Sequence, residues 1–254
     1  MIKIVKTHPR IPLKNAYIYP ILHLHMLPRF DLHLHTTYSD GVATQKEMID
    51  TITKKGVVLG GLSDHGPGLA VGIKKNRIEE MISGARVLQD QTDTKFLIGM
   101  EANIASDDGN LDIDDNIIRK LDFLIVGIHT LKTRRLDEMA KEYLARATNC
   151  ILTHKPDILT HPFFYHSDLF PYLPSEEVRN FVKLLAERKV AIEINIKYKA
   201  PNIELLQMCL EEGVLLSIGS DAHRVAEAGE IGWALEVLEK IGATKDNLIV
   251  KKFL

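Results

Sequence analysis

The sequence predicts an α/β barrel of seven β/α units folded as a single domain, and three observations carry that expectation. Seven short apolar runs rich in β-branched residues recur along the chain, at residues 29–35, 57–65, 96–104, 123–129, 157–161, 190–196 and 214–223. Segments with a helical period of apolar residues lie between most of them. The runs are nearly continuous in apolar residues rather than alternating, which is the pattern of parallel strands covered by helices. Seven such units in a chain of 254 residues, with no linker, repeat or low-complexity tract between them, point to a barrel rather than an open sheet.

Residues 1–28 fall outside this pattern and are read as an N-terminal arm of unassigned structure, interrupted by Pro9, Pro12, Pro20 and Pro28. The barrel is expected over residues 29–254. After the first run, Thr44-Gln45-Lys46-Glu47 forms a capping box, in which the Thr hydroxyl and the Glu carboxylate satisfy orphan backbone donors reciprocally. Met48, Ile49 and Ile52 then share one helix face, and Gly56 supplies the stop. Ile78, Met81, Ile82, Ala85 and Leu88 mark the next helix. Ser175 is expected as an N-cap with Glu176 and Glu177 in the first turn, and Val178, Phe181, Val182 and Leu185 as the buried stripe behind it. Leu205, Leu206, Cys209 and Leu210 precede Gly213, and Trp233, Ala234, Val237, Leu238 and Ile241 form the last apolar face.

Composition excludes several classes. With 45% hydrophobic and 26% charged residues the chain is an ordinary globular protein rather than a disordered one. A net charge of −2 argues against a dedicated nucleic-acid coat. Cys150 and Cys209 make neither a disulfide framework nor a thiolate metal site, and are read as buried thiols in a reducing compartment. No apolar run approaches the roughly 20 residues of a membrane span. Lys3, Lys6, Pro9, Arg10, Pro12 and Lys14 break up any signal-peptide core, so the expected location is cytoplasmic.

Histidine stands out, with 11 residues. The runs end in groups that bind metals: His33 and His35 with Asp40 in the following loop, Asp64-His65, Glu101, His129, His161, Glu193 with Asn195, and Asp221 with His223. In a barrel the C-terminal strand ends meet on one face, so these residues are expected in one pocket. Almost no Lys or Arg is among them, and bound divalent cations are the economical way to neutralise such a cluster. Imidazole with carboxylate suits zinc, iron or manganese. A single His-x-His is weak evidence: the chain carries a second one, His23-Leu24-His25, outside the barrel pattern, which is read as no ligand set. His8, His154 and His166 are read as surface residues. The stretch Asp107, Asp108, Asp112, Asp114 and Asp115 is read as a solvated loop with a helix start.

Taken together, residues 31–41 (DLHLHTTYSDG), 62–67 (LSDHGP), 99–104 (GMEANI), 127–130 (GIHT), 160–162 (THP), 192–195 (IEIN) and 219–223 (GSDAH) resemble the polymerase and histidinol phosphatase (PHP) superfamily, above all its small stand-alone trinuclear-metal phosphatases. The resemblance implies a distorted (β/α)7 TIM-like barrel with two to three divalent metal ions, zinc foremost and manganese or iron as alternatives. It implies one metal position at His33, His35, Glu101 and Asp221, a second at Glu101, His129 and His161, and a third at Asp40, His65 and His223. Asp40 stands where some relatives carry His, which loosens the preference for zinc. Asp64 and Asn195 look like residues that orient ligands, Asp64 by accepting the free ring N–H of a ligand imidazole.

The implied activity is hydrolysis of a small phosphomonoester by attack of metal-bound hydroxide on phosphorus. Glu101, Asp221, His223 and Asp64 are counted with the catalytic residues. Arg224 is the candidate to hold a phosphate oxygen, with an ordinary surface arginine as the alternative; Lys197 and Arg134 rank behind it. The partner expected is a small phosphorylated substrate, with no membrane. Three competing readings are a nuclease like the polymerase-associated relatives, a non-catalytic metal-stabilised scaffold, and an amidohydrolase. No basic tract interleaved with aromatics supports the nuclease. Phe163-Phe164-Tyr165 is the one cluster suited to stacking a base, and core packing or a pocket wall explains it equally.

Overall fold

A computed structural model describes residues 27–254. Seven strands follow one another in sequence: β1 (Phe30–Leu34), β2 (Leu59–Leu62), β3 (Phe96–Asn103), β4 (Phe123–Gly127), β5 (Ile158–Leu159), β6 (Ala191–Asn195) and β7 (Leu216–Gly219). They pair in the order β1 to β7, and every pairing is parallel. The helices that follow them are α1 (Gln45–Lys54), α2 (Ile78–Gln89), α3 (Asp115–Ile118), α4 (Leu136–His154), α5 (Ser175–Arg188), α6 (Ile203–Glu211) and α7 (Gly232–Lys240). The result is a nearly closed, TIM-like α/β barrel. Every residue of every strand is buried, which is why the runs read as continuously apolar.

Closure depends on a few bonds between the ends of the sheet. The His35 amide donates to the Ala222 carbonyl at 2.9 Å, and the Ala222 amide to the His33 carbonyl at 3.3 Å. The buried carboxylate of Asp31 accepts the amides of Ser220 and Gly229, each at 2.9 Å, and so ties β1 to the chain beyond β7. The barrel is irregular at β1, whose register with β2 shifts between Asp31 and Leu34. It is also irregular between β3 and β4, where α3 has only four residues. Here the acidic stretch divides: Asp114 caps α3, whereas Asp112 is half-buried and accepts the amides of Gly68 and Asn103. Close packing sets one glycine on β3, since a Cβ at Gly99 would lie 2.3 Å from the ring of Phe123.

The helices follow the apolar stripes, with one difference. The Thr44 capping box is present: Glu47 N donates to Thr44 Oγ1, and Thr44 N donates to Glu47 Oε2 at 2.8 Å. Gly56 takes φ +73° just beyond α1, a conformation that glycine adopts without steric cost. Ser175, however, does not cap α5. The Pro174 carbonyl already accepts the Val178 amide, so the helix starts one residue earlier and Ser175 is its first residue. Several strands are shorter than their runs, most of all β7, and β2, β5 and β7 leave the ladder before the polar residues that end their runs. Cys150 and Cys209 are both buried. No described helix is long and apolar enough to cross a membrane. The expected N-terminal arm, His8 and the His23/His25 pair lie outside the described residues, apart from Leu27 and Pro28 at the arm's end.

Removing the α1 cap by Thr44→Ala is expected to lower unfolding free energy by about 1 kcal/mol. Chemical denaturation of the variant beside the parent protein measures it, and the exposed position keeps other effects small.

Candidate metal centre

His33 lies within β1 and His35 just beyond it. As alternate residues of an extended segment they face the same side. Glu101 lies within β3. The other groups stand past the strand ends: His65 after β2, His129 after β4, His161 after β5, Asp221 and His223 after β7. Two of these exits are made by non-glycine residues with positive φ, His161 at +28° and Asp221 at +55°. All the residues selected from the run ends thus meet at the C-terminal mouth of the barrel.

Glu101 is the hub. Its Oε1 lies 3.0 Å from His161 Nε2 and 3.1 Å from His129 Nε2. Its Oε2 lies 2.8 Å from His65 Nδ1, 3.2 Å from His33 Nε2 and 3.5 Å from His35 Nε2. Asp221 Oδ1 stands 3.4 Å from His35 Nε2 and 4.0 Å from His33 Nε2. Asp40 Oδ1 stands 3.2 Å from His223 Nε2 and 3.8 Å from His65 Nε2. Three sets of converging donors are able to hold an ion: His35, Asp40, His65 and His223; His33, His35 and Glu101; His65, Glu101 and His129. Against the positions implied by resemblance, His35 also joins the Asp40 set and His65 joins Glu101 and His129, while His161 stays beside Glu101 without completing a tight set.

The donor chemistry fits divalent cations. His65 Nδ1 and Glu101 Oε2 are 2.8 Å apart and buried, yet neither has a hydrogen-bond partner, nor has Asp40 Oδ1. His33 Nε2 and His35 Nε2 face each other at 2.9 Å. Ligand atoms about 2.0–2.2 Å from one ion necessarily crowd to about 3 Å from each other. The far sides of three rings carry hydrogen bonds that leave Nε2 pointing inward. His33 Nδ1 faces Glu193 at 2.7 Å, His129 Nδ1 faces Asn103 Oδ1 at 3.2 Å, and His223 Nδ1 faces the Asp221 carbonyl at 2.9 Å. Such partners fix the ring and its tautomer.

Charge in the cluster is mutually stabilised. Burial opposes ionisation of Glu101, but His129, His65 and His33 hold its carboxyl well below the usual range. Burial also opposes charge on His33, and Glu193, Glu101 and Asp221 more than offset it, raising that imidazole well above its ordinary value. Asp221 is likewise lowered despite burial, by His33 and His35. Burial and the neighbouring His65 drive His35 down to about 3, and His129 is lowered mainly by burial.

Asp64 behaves differently from the expectation that it accepts a ligand's ring N–H. Its fully buried carboxylate takes the Thr36 amide and hydroxyl, each at 2.7 Å, and the Ser39 amide and hydroxyl at 3.2 and 2.6 Å. It folds the loop that carries Asp40, and the short Ser and Thr side chains of that loop outcompete any imidazole for its lone pairs. The carboxylate behind the His33 ring is Glu193, which the sequence reading placed at a run end without giving it a role. Glu193 accepts from His33 Nδ1 and from the His161 amide, each at 2.7 Å, from Asn195 Nδ2 at 3.0 Å and from the Thr160 hydroxyl. Its signal was an acid inside an otherwise apolar strand. Asn195 also donates to Asp221 Oδ2 at 3.2 Å.

Two cations line a cavity of about 580 Å³ beside Asp221 and His223. Lys197 Nζ lies 3.2 Å from Asp221 Oδ1 and 3.3 Å from His223 Nδ1, so this lysine, ranked behind Arg224 from sequence, reaches the cluster itself. Arg224 is exposed on the wall of the same cavity. Arg134 is exposed on the loop after β4.

A parallel barrel with imidazoles and carboxylates gathered at its C-terminal mouth is the architecture of a metal-dependent barrel hydrolase. The PHP domain family model matches residues 31–197, most of the barrel, and the chain belongs to that family. It is 26% identical over 234 residues to a probable phosphatase of Shewanella piezotolerans, covering 86% of this chain and 87% of the relative. It is 27% identical over 202 residues to the DNA polymerase/3'-5' exonuclease PolX of Bacillus subtilis, covering 77% of this chain but 34% of that protein. Among solved structures, histidinol phosphate phosphatase from Lactococcus lactis, complexed with zinc, L-histidinol and phosphate, shares the fold with a TM-score of 0.64 and 18% identity, covering 85% of this chain and 95% of that one.

Glu193→Gln keeps the side chain's shape but turns an NH2 group toward donors that need an acceptor. It is expected to cost about 1–3 kcal/mol of stability. Denaturant titration reads the loss, and an unchanged midpoint would show that the four donors are satisfied elsewhere.

Proposed function

We propose that this chain is a metal-dependent phosphoesterase that hydrolyses a small phosphomonoester, working with two to three divalent ions in its three donor sets, zinc foremost and manganese or iron as alternatives. The observation that carries the reading is the buried Glu101 carboxylate ringed by five imidazoles, with unpartnered lone pairs facing inward. The family supports a hydrolase of the phosphatase class, and so does the relative named as a probable phosphatase. His33, His35 and Glu101, with Asp221 beside them, would hold one ion, His65, Glu101 and His129, with His161 beside them, a second, and His35, Asp40, His65 and His223 a third. Divalent cations in such a site bring the pKa of a water molecule to about 7 and neutralise charge on phosphoryl oxygens.

The chain's own residues do the rest. Glu193 keeps the His33 ring turned with Nε2 inward, and Asn195 steadies Asp221. Asp64 holds the loop that delivers Asp40. Lys197 donates to Asp221 and stands beside His223, so its ammonium charge would meet the anionic phosphoryl group there, with Arg224 on the wall of the same cavity. Water supplies the oxygen that joins phosphorus and the proton that ends on the departing alcohol, as the P–O bond to that alcohol breaks. The test is a hydrolysis screen of p-nitrophenyl phosphate, histidinol phosphate, nucleoside monophosphates and single-stranded oligonucleotides with added zinc, manganese or iron. Monoester turnover is expected. Cleavage of oligonucleotides alone would replace this reading with the nuclease, and inactivity toward all of them with the scaffold.

Elemental analysis should find two to three equivalents of divalent metal, matching the three donor sets. Stripping by a chelator should abolish turnover and lower the unfolding midpoint, because binding to the native state alone stabilises it. A metal-free preparation with full activity would end the proposal. Glu101→Gln removes the shared charge at the hub and should lower kcat by several orders of magnitude. Asp64→Asn loosens only the Asp40 loop and should cost about 10–100-fold, partly recovered with excess metal. Kinetics with metal titration ranks the two, and the reverse order would reassign their roles.

A further inference from the structure

Among the described residues Arg146 is the only lysine or arginine that is buried, at 3% exposure. It lies in α4, four residues after Glu142, and the pair serves the loop that follows β4. Arg146 Nη1 donates to the Thr130 carbonyl at 2.6 Å and to Glu142 Oε1 at 3.3 Å, and Nη2 donates to the Ile104 carbonyl. Glu142 in turn accepts the Lys132 amide at 3.0 Å, and the Thr133 amide and hydroxyl at 3.2 Å each. One ion pair thus holds Ile104, Thr130, Lys132 and Thr133, and the chemistry proposed above uses neither of its members.

The segment from Thr130 to Thr133 belongs to no helix or strand, so its backbone groups need partners from elsewhere. Thr130 is one residue past His129, and Ile104 is three residues past Glu101, so the guanidinium bridges the exits of β4 and β3. The same two exits also meet nearer the cluster. The Ile104 amide donates to the Gly127 carbonyl at 2.9 Å, and Asn103 Oδ1 accepts the His129 amide at 3.2 Å. A buried ion pair adds little net stability over apolar side chains of similar volume. The remaining buried face of α4, from Met139 to Ile151, is nearly all apolar, so packing alone does not call for a charge at position 146. A planar guanidinium with donors in fixed directions supplies what an apolar chain lacks: it sets the separation of two carbonyls.

We propose that Arg146, backed by Glu142, is a positioning residue for one ion alone: by clamping the chain on either side of the β3 and β4 exits it holds His129 where His65, Glu101 and His129 converge. The inference rests on the metal-binding part of the phosphoesterase reading and not on the hydrolysis. Selectivity follows from how the donors are shared. His35, His65 and Glu101 each serve two of the three donor sets, whereas His129 serves one. His33 and His35 are fully buried and held by the surrounding core, but the His129 side chain is 19% exposed, so its ring depends more on where its backbone is fixed. With the clamp in place His129 Nε2 stands 3.1 Å from Glu101 Oε1. Metal–ligand distances must hold to about 0.2 Å, so a small drift of the loop after β4 weakens this set and leaves the other two intact.

The experiment is a calorimetric titration of the metal-stripped full chain with zinc chloride. It compares the parent protein with the double variant Arg146→Met/Glu142→Gln, which removes both charges together, and with Arg146→Lys, which keeps the charge without the fork. One class of zinc sites is expected to weaken about 10–100-fold in the double variant and less in Arg146→Lys. The other classes, and the unfolding midpoint of the metal-free chain, should stay near the parent values. If the double variant fails to fold, Arg146→Lys carries the test. His129→Ala should weaken the same class, and adding the clamp substitutions to it should cause no further loss; their effect should persist in full beside Asp40→Ala, which belongs to another set. Equal weakening of every class, no weakening in either clamp variant, or full additivity with His129→Ala would overturn the inference. The expected zinc pattern without hydrolysis of any phosphomonoester would support the clamp and defeat the phosphoesterase reading. A parent chain that binds no zinc would end the metal centre and the clamp together.

Discussion

Glu101 stands fully buried in the middle of β3, and a carboxylate there is tolerable only if positive charge or hydrogen-bond donors surround it. Five imidazoles from the ends of four other strands meet that demand. Those rings in turn need neutral partners, cations or carboxylates of their own, and the demand spreads outward through the barrel mouth. Glu193 answers for His33, Asp221 for His33 and His35, and Asp40 for His65 and His223. The short strands and the non-glycine residues with positive φ at His161 and Asp221 aim these side chains inward at some cost in backbone strain.

Three further buried carboxylates show how one residue type serves different ends according to what donates to it. Asp31 receives two backbone amides from beyond β7 and closes the barrel. Asp64 receives amides and hydroxyls from one short loop and shapes it. Glu193 receives an imidazole, an amide, a hydroxyl and a carboxamide, and so couples β1, β5 and β6 behind the cluster. Glycine at position 219 completes the fit, since a Cβ there would fall 1.9 Å from Glu193 Oε1.

Much of this was legible in the sequence, for physical reasons that also mark where legibility stops. The seven strands announce themselves because all are buried on both faces, and the helix faces because α1, α2 and α5 each bury one stripe. The convergence of the selected side chains was legible because they recur at the ends of those runs. Strand limits were less so: β5 ends two residues before His161, where the backbone turns left-handed, and no local propensity marks that turn. Ser175 was misplaced by one position because Pro174 contributes a carbonyl to the first helical bond. The partners of Asp64 and Glu193 were hidden, since which donors reach a carboxylate depends on how loops from distant strands fold over it. Lys197 was underweighted for the same reason: its contact with Asp221 follows from the turn after Asn195, not from spacing.

The bonds from Asp31 to Ser220 and Gly229 join residues 189 and 198 positions apart. Contacts of that span are entropically expensive to close, and their amides belong to a stretch made only after all seven strands. Until that stretch leaves the ribosome, β1 has an open edge on one side and His33 and His35 lack Asp221. A nascent chain carrying the first six strands therefore exposes a partial set of imidazoles and carboxylates at an unclosed mouth. The cluster comes into being only as the last strand docks. That order would keep a half-built protein from displaying a finished site, and it makes the final strand the element on which the cell's investment in the preceding two hundred residues depends.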